Sequence, residues 1–133
     1  MLLLNKRLFL SRNRNKKKYN KIEFNPFVRG LVLKATVVTP KKPNSARRPI
    51  AKISLVNHFT ALSHIPGIGH NLRKHSLVLI RGGGARDLPM VSYTCIRGKY
   101  DLMPVANRIT RRSIFGVKIN KEQRLLRRKF KRI

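Results

Sequence analysis

The stretch Thr39-Pro40-Lys41-Lys42-Pro43-Asn44-Ser45-Ala46-Arg47-Arg48-Pro49 concentrates residue types that could act on a polyanion. Lys41, Lys42, Arg47 and Arg48 can bind phosphates, and the prolines among them lower the entropy cost of holding those cations in one presentation. Asn44 and Ser45 add neutral donors and acceptors of the kind that reach sugar hydroxyls and base edges in an RNA minor groove. The same residues also describe a solvated turn in which Asn and Ser satisfy their own backbone, and composition does not choose between the two.

Bond-breaking chemistry finds little support. An enzyme needs converging acids, bases or metal ligands, whereas His58, His64, His70 and His75 have no carboxylate or thiol partners at ligand spacing. Gly82-Gly83-Gly84 lacks the Lys-Ser/Thr of a phosphate-binding loop and reads as a strand terminator. Cys95 is the single cysteine, which excludes an internal disulfide, and its apolar surroundings read as buried packing. The sequence therefore implies no catalytic residue, metal, cofactor or small-molecule substrate.

Charge points to the partner. Thirty-two Lys and Arg against four acidic residues leave a formal charge of +28 on 133 residues. Nucleic acid supplies the missing negative charge and releases counterions when its phosphates are neutralised. A membrane is the rival polyanion, but no stretch approaches the about 20 apolar residues needed to span one. Leu125, Leu126 and Phe130 make only a fragment of an amphipathic helix.

The elements that must position the loop are strands. Gly30 to Val38, Ile50 to Val56, Phe59 to His64, Ser76 to Arg81 and Val91 to Ile96 are short apolar or β-branched runs bounded by Gly, Pro and Asn. Asn57-His58 occupies the two-residue position of a tight hairpin, and Phe59 is expected in the core. An all-β chain of five such strands fits a small OB-type barrel, a fold that holds nucleic acid on its loops and one face. The order of the strands is not legible. The plan is a basic arm over residues 1–24, a barrel over 25–100 and a basic tail over 101–133, with a short helix expected beyond Asp101. Lys16, Lys17 and Lys18 lie in a cationic segment that suits a mitochondrial transit peptide and equally an arm ordered by RNA; the arm is the reading adopted.

The run Thr39-Pro40-Lys41-Lys42-Pro43-Asn44-Ser45-Ala46 resembles the signature of the family of ribosomal protein twelve of the small subunit. The resemblance continues through Gly69-His70-Asn71-Leu72, His75 to Gly83, Asp87-Leu88-Pro89, Arg97-Gly98, Arg112-Ser113 and Phe115-Gly116-Val117-Lys118. It implies an OB-type barrel whose proline-rich loop approaches the decoding centre. Pro43 and Ser45 would contact the rRNA that monitors codon and anticodon, while Lys42, Arg86 and Pro89 fall where changes alter accuracy and drug response. The residues expected at the decoding centre are Lys41, Lys42, Pro43, Asn44, Ser45, Arg47, Arg86, Asp87 and Pro89, with Asp87 an unmodified acid beside Arg86. Further rRNA contacts are expected from Lys16, Lys17, Lys18, Arg29, Arg108, Arg112 and Lys118. The implied partners are small-subunit rRNA and neighbouring ribosomal proteins, with mRNA, tRNA and elongation factors met indirectly.

The chain departs from the family pattern at several points. Met90 stands where Gly is usual, Arg86 where Lys is usual, Ile68 replaces an acidic residue, Arg73-Lys74 replaces Gln-Glu, and Pro104 stands where Gly is frequent. Bacterial-type motifs with divergent ends and abundant Lys, Asn, Ile and Leu point to an organelle, the mitochondrion ahead of the plastid or a bacterial cytoplasm. The alternative in function is a free-standing RNA-binding module or RNA chaperone.

Overall fold

The structure is a computed structural model and describes residues 21, 22 and 25–119. Five strands form in chain order: β1 (Phe27–Val38), β2 (Arg48–Leu55), β3 (Thr60–His64), β4 (Leu77–Gly82) and β5 (Tyr93–Cys95). They close in the order β1-β2-β3-β5-β4. All pairings are antiparallel except β3 with β5. This is the all-β, five-stranded OB-type barrel that the strand pattern implied.

β1 closes the barrel because it is long enough to serve two neighbours. Its first half pairs with β4, from Phe27 against Arg81 to Leu31 against Leu77, and its second half pairs with β2 as far as Val38 against Arg48. The register shifts between Val32 and Lys34, and such an irregularity bends a strand and increases its twist, as closure requires. Gly30 lies at this crossing. A Cβ there would meet Ile53 Cγ2 at 2.5 Å and the Ser54 carbonyl oxygen at 2.6 Å, so only glycine lets β1 pass this close to β2.

The interior follows from strand alternation. Val32, Ala51, Ile53, Leu55, Ala61, Val78, Ile80, Tyr93 and Cys95 point inward and form one buried cluster. Ile22 and Ile65, Leu72 and Leu102 plug it from outside the strands. Ile53 and Ile80 are fully shielded, and burying such a side chain contributes roughly 1.5–3 kcal/mol. Ser63 is a polar residue within this interior, and its hydroxyl lies 2.8 Å from Cys95 Sγ, which satisfies both groups. Cys95 is buried as expected, and burial pushes its thiol pKa up to about 11, against the opposing effect of the Ser63 hydrogen bond.

Two expectations, the hairpin turn and the place of Phe59, need correction. The β2–β3 hairpin is not a two-residue turn: His58 N donates to Leu55 O and Leu55 N donates to Phe59 O, which leaves a three-residue loop, Val56-Asn57-His58. His58, not Asn57, takes the left-handed position, at φ 63°, the geometry of a type I turn closed by a bulge. Phe59 is consequently set at the barrel rim and stays 53% exposed instead of entering the core. Beyond Asp101 the described part of the tail is built of turns, with no helix among the described residues; residues 120–133 lie outside them. Most of the expected arm, residues 1–20 with Lys16, Lys17 and Lys18, also lies outside the described residues.

The turns after β5 are held to the barrel by specific bonds. Asp101 Oδ2 accepts from Leu77 N at 2.6 Å, and Asp101 N donates to Leu77 O at 3.1 Å. Arg97, only 4% exposed, donates through Nε to Pro66 O (2.7 Å), through one terminal nitrogen to Met103 O (3.2 Å), and through the other to Gly69 O. Burial lowers its pKa, and these carbonyls take the place of the counterion that a buried cation ordinarily demands. No helix of the described residues is long and apolar enough to cross a membrane.

Candidate nucleic-acid interface

The β1–β2 connection, residues 39–47, and the β4–β5 connection, residues 83–92, open at the same end of the barrel. Register requires this: Val38 faces Arg48 across the first connection, Gly82 faces Tyr93 across the second, and Ser63 of β3 pairs with Tyr93, which closes the gap between them. Two loops far apart in sequence therefore share one surface.

They are also fastened together. Arg48 Nε donates to Asp87 Oδ2 at 2.9 Å, and a terminal guanidinium nitrogen lies 2.8 Å from the same oxygen. The Lys41 amide donates to the Asp87 carbonyl at 3.0 Å, so one residue of the second loop holds the first by side chain and backbone at once. The Arg48 hydrogen bond holds the Asp87 carboxyl below its usual range, so the pair is charged at neutral pH. Below the loops, Ile50, Leu88 and Val91 form a second buried cluster, flanked by Val38, Leu62 and Ala85. His64 borders the pair half-buried; burial lowers its pKa, and its Nδ1 finds no hydrogen-bond partner among the described residues. Asp87 thus lies next to Arg86 in the second loop with its carboxylate engaged by Arg48, while Arg86 is exposed.

Within the first loop, Asn44 N donates to Lys41 O at 3.2 Å and the Lys42–Pro43 peptide is cis. Pro40 is buried, whereas Lys41, Lys42, Pro43, Asn44, Ser45, Ala46 and Arg47 are all exposed. Arg86 and Pro89 are exposed on the second loop. The braced pair thus presents Lys41, Lys42, Arg47 and Arg86 outward with no ion pair among the described residues, while Arg48 is neutralised beneath them. Such a surface can bind phosphates as a preorganised cationic platform.

The other expected contacts are dispersed. Arg29 is exposed on β1, well away in register from the loops. Arg108 is half-buried with its guanidinium 4.6 Å from the centroid of the Phe115 ring, a cation–π contact that fixes it locally. Arg112 is half-buried, and Lys118 is exposed. The sequence reading missed Arg48 as the brace, because nothing in a linear motif distinguishes the cation that turns inward from those that turn out.

Fold and loops define the class: a strongly basic OB-type barrel with a braced pair of cationic loops at one end. Comparison with known proteins narrows it. Residues 15–131 match the family described as Ribosomal protein S12/S23. The chain is also 53% identical over 123 residues to the Small ribosomal subunit protein uS12m of Paramecium tetraurelia, covering 92% of this chain and 88% of the relative. The chain belongs to the ribosomal protein S12/S23 family and is a structural, non-enzymatic constituent of the small ribosomal subunit.

Proposed function

We propose that the chain binds small-subunit rRNA and lines the decoding centre with its two braced loops, supporting codon–anticodon monitoring and translational accuracy. The observation that carries this reading is that Asp87 holds the loop of Lys42 and the loop of Arg86 as one cationic surface, through Arg48 Nε at 2.9 Å and the Lys41 amide at 3.0 Å. The role is geometric. A cation on this surface that meets rRNA phosphates better in one conformation of the subunit than in another biases that conformation, and only such a difference can shift the equilibrium. A difference of about 1.4 kcal/mol changes the ratio tenfold.

Pro43, Asn44 and Ser45 provide the stiff, neutral tip of the first loop, and Pro89 the bend of the second. Lys16, Lys17, Lys18, Arg29, Arg108, Arg112 and Lys118 supply phosphate contacts elsewhere. Neighbouring ribosomal proteins complete the surroundings, and mRNA, tRNA and elongation factors are met through the decoding site. The ribosome concerned is mitochondrial, a reading that the name of the Paramecium relative supports.

Sedimentation of the native protein through a sucrose gradient at moderate salt tests the assembly: it should travel with the small subunit and the monosome, and a large free pool would sink the reading. In assembled ribosomes, Lys42→Ala should change near-cognate misreading. Unchanged miscoding would remove the decoding part.

A further inference from the structure

Away from the braced loops, Phe27 of β1, Arg81 of β4 and Thr94 of β5 form one row across three neighbouring strands, since Phe27 is the register partner of Arg81 and Arg81 that of Thr94. Directly opposed residues project to the same face with Cβ atoms about 5 Å apart. An aromatic ring, a guanidinium and a hydroxyl therefore stand side by side on the outside of the barrel. The row is not a flat surface. The turn carrying Ser113 and Ile114 rises beside it and, with Ile96, encloses a cleft of about 410 Å³. That volume lies within the range of small-ligand sites. Phe27 remains 53% exposed and Ile114 42% exposed, while Thr94 is buried to 7%.

We propose that this cleft receives a single unpaired RNA nucleotide, its base stacked on Phe27 and its phosphate held by Arg81. The proposal rests on the rRNA-binding reading and adds a site to it. An aromatic face accepts any base, and Ile96 and Ile114 offer apolar contact to the rest of the ring. The Thr94 hydroxyl donates to Gly83 O, which leaves its oxygen as an acceptor for an exocyclic amino group. Ser113 adds a second hydroxyl at the wall.

Charge selects the nucleotide over a peptide. Among the described residues no carboxylate lines the cleft, and the acids among them are engaged elsewhere, Asp87 with Arg48 and Asp101 with the Leu77 amide. The charge that a phosphodiester would meet along the described lining is that of Arg81. An apolar side chain from a neighbouring protein could fill the same walls, but it would leave the Arg81 guanidinium and the Ser113 hydroxyl unmatched.

The test uses assembled small subunits. Base-specific chemical probing of the rRNA should find one nucleotide whose reactivity rises roughly tenfold in Phe27→Ala, the scale of losing one base–aromatic stack. Phe27→Trp should keep that nucleotide protected, and Arg81→Gln should expose the same one. Because Phe27 is outside the buried cluster, these changes leave the barrel's interior intact. As a second route, a photoreactive benzophenone amino acid at position 27 should crosslink to rRNA. Unchanged reactivity at every nucleotide, or a crosslink to a protein instead, would overturn the cleft while footprints under residues 39–47 persist. Absence of those footprints as well would instead overturn the broader rRNA-binding reading.

Discussion

Asp87 Oδ2 receives two nitrogens of Arg48, Nε at 2.9 Å and a terminal nitrogen at 2.8 Å, across 39 residues of sequence. The carboxylate is only 16% exposed on its side chain, so the bond is partly shielded from solvent, and it joins two loops that carry their free cations on the other side. If the brace acts as a unit, removing either partner should have the same consequence. Asp87→Asn and Arg48→Gln are each expected to raise misreading in assembled ribosomes, and the double variant should do no more than the worse single one. Additive effects in that double-mutant cycle would show that the two side chains act separately.

The titrating groups predict a stability maximum with two flanks. The Asp87 carboxyl is lowered from 3.8 by the Arg48 hydrogen bond, so its contribution is complete above that value and is lost as pH falls through the still lower folded value. His64 is lowered from 6.5 by burial; the unfolded chain takes up its proton first, and stability declines as pH drops below 6.5. Cys95 acts in the opposite direction: burial raises it from 9.0 to about 11, the unfolded chain ionises first, and stability falls as pH climbs past 9. That separation corresponds to about 3 kcal/mol. Denaturant unfolding of the full chain should therefore lose more stability between pH 9 and 11 in the wild type than in Cys95→Ala, and equal losses would mean that the thiol does not contribute.

The sequence carried the strands but not their assembly. Val, Ile and Leu runs bounded by Gly and Pro were sufficient to mark all five strands, because burial on one face of a strand imposes a period that composition displays. The closing order depends on pairings such as Ser63 with Tyr93, thirty residues apart, which no local pattern encodes. The hairpin was misread because the left-handed position fell on His58, a residue less suited to it than Asn57, and Phe59 then landed at the rim. At the interface, the exposed cations of residues 41–47 were legible from prolines and charge. Arg48 was not, since turning inward is decided by Asp87 in another loop. Arg97 likewise reads as one more cation until Pro66, Gly69 and Met103 are seen around it.

Met90 follows Pro89 in the second loop at φ 63°, the left-handed region that L side chains occupy at a cost of roughly 1–2 kcal/mol. Its side chain is 87% exposed and contributes little packing in exchange. Met90→Gly relieves the backbone and gives back part of the gain as unfolded-chain entropy, so a net stabilisation of about 0.5–1 kcal/mol is expected. Met90→Ala keeps the strain and should change stability little. Equal midpoints for the glycine and alanine variants in urea would show that the backbone at this position is unstrained.

Gly116 and Gly98 bring the tail and the barrel into backbone contact. Both have positive φ, 70° and 72°. A Cβ on Gly116 would stand 2.5 Å from the Arg97 carbonyl oxygen and 2.8 Å from Gly98 N, atoms that cannot move aside without disturbing the Arg97 guanidinium that ties three loop carbonyls together. Gly116→Ala therefore combines conformational strain with a backbone clash, at a cost of about 2 kcal/mol or more. The closed barrel does not depend on Gly116, because its strands end at Cys95 and its buried cluster at Leu102. The expected outcome is local: the segment from Pro104 to Val117 releases, losing the Val105 N to Phe115 O bond and the Arg108–Phe115 contact, while residues 27–95 stay folded. Limited proteolysis of the full chain should cut the variant selectively after Met103 while its strand signal in circular dichroism persists, whereas wild-type resistance in the variant would mean that the two glycines are not what holds the tail in place.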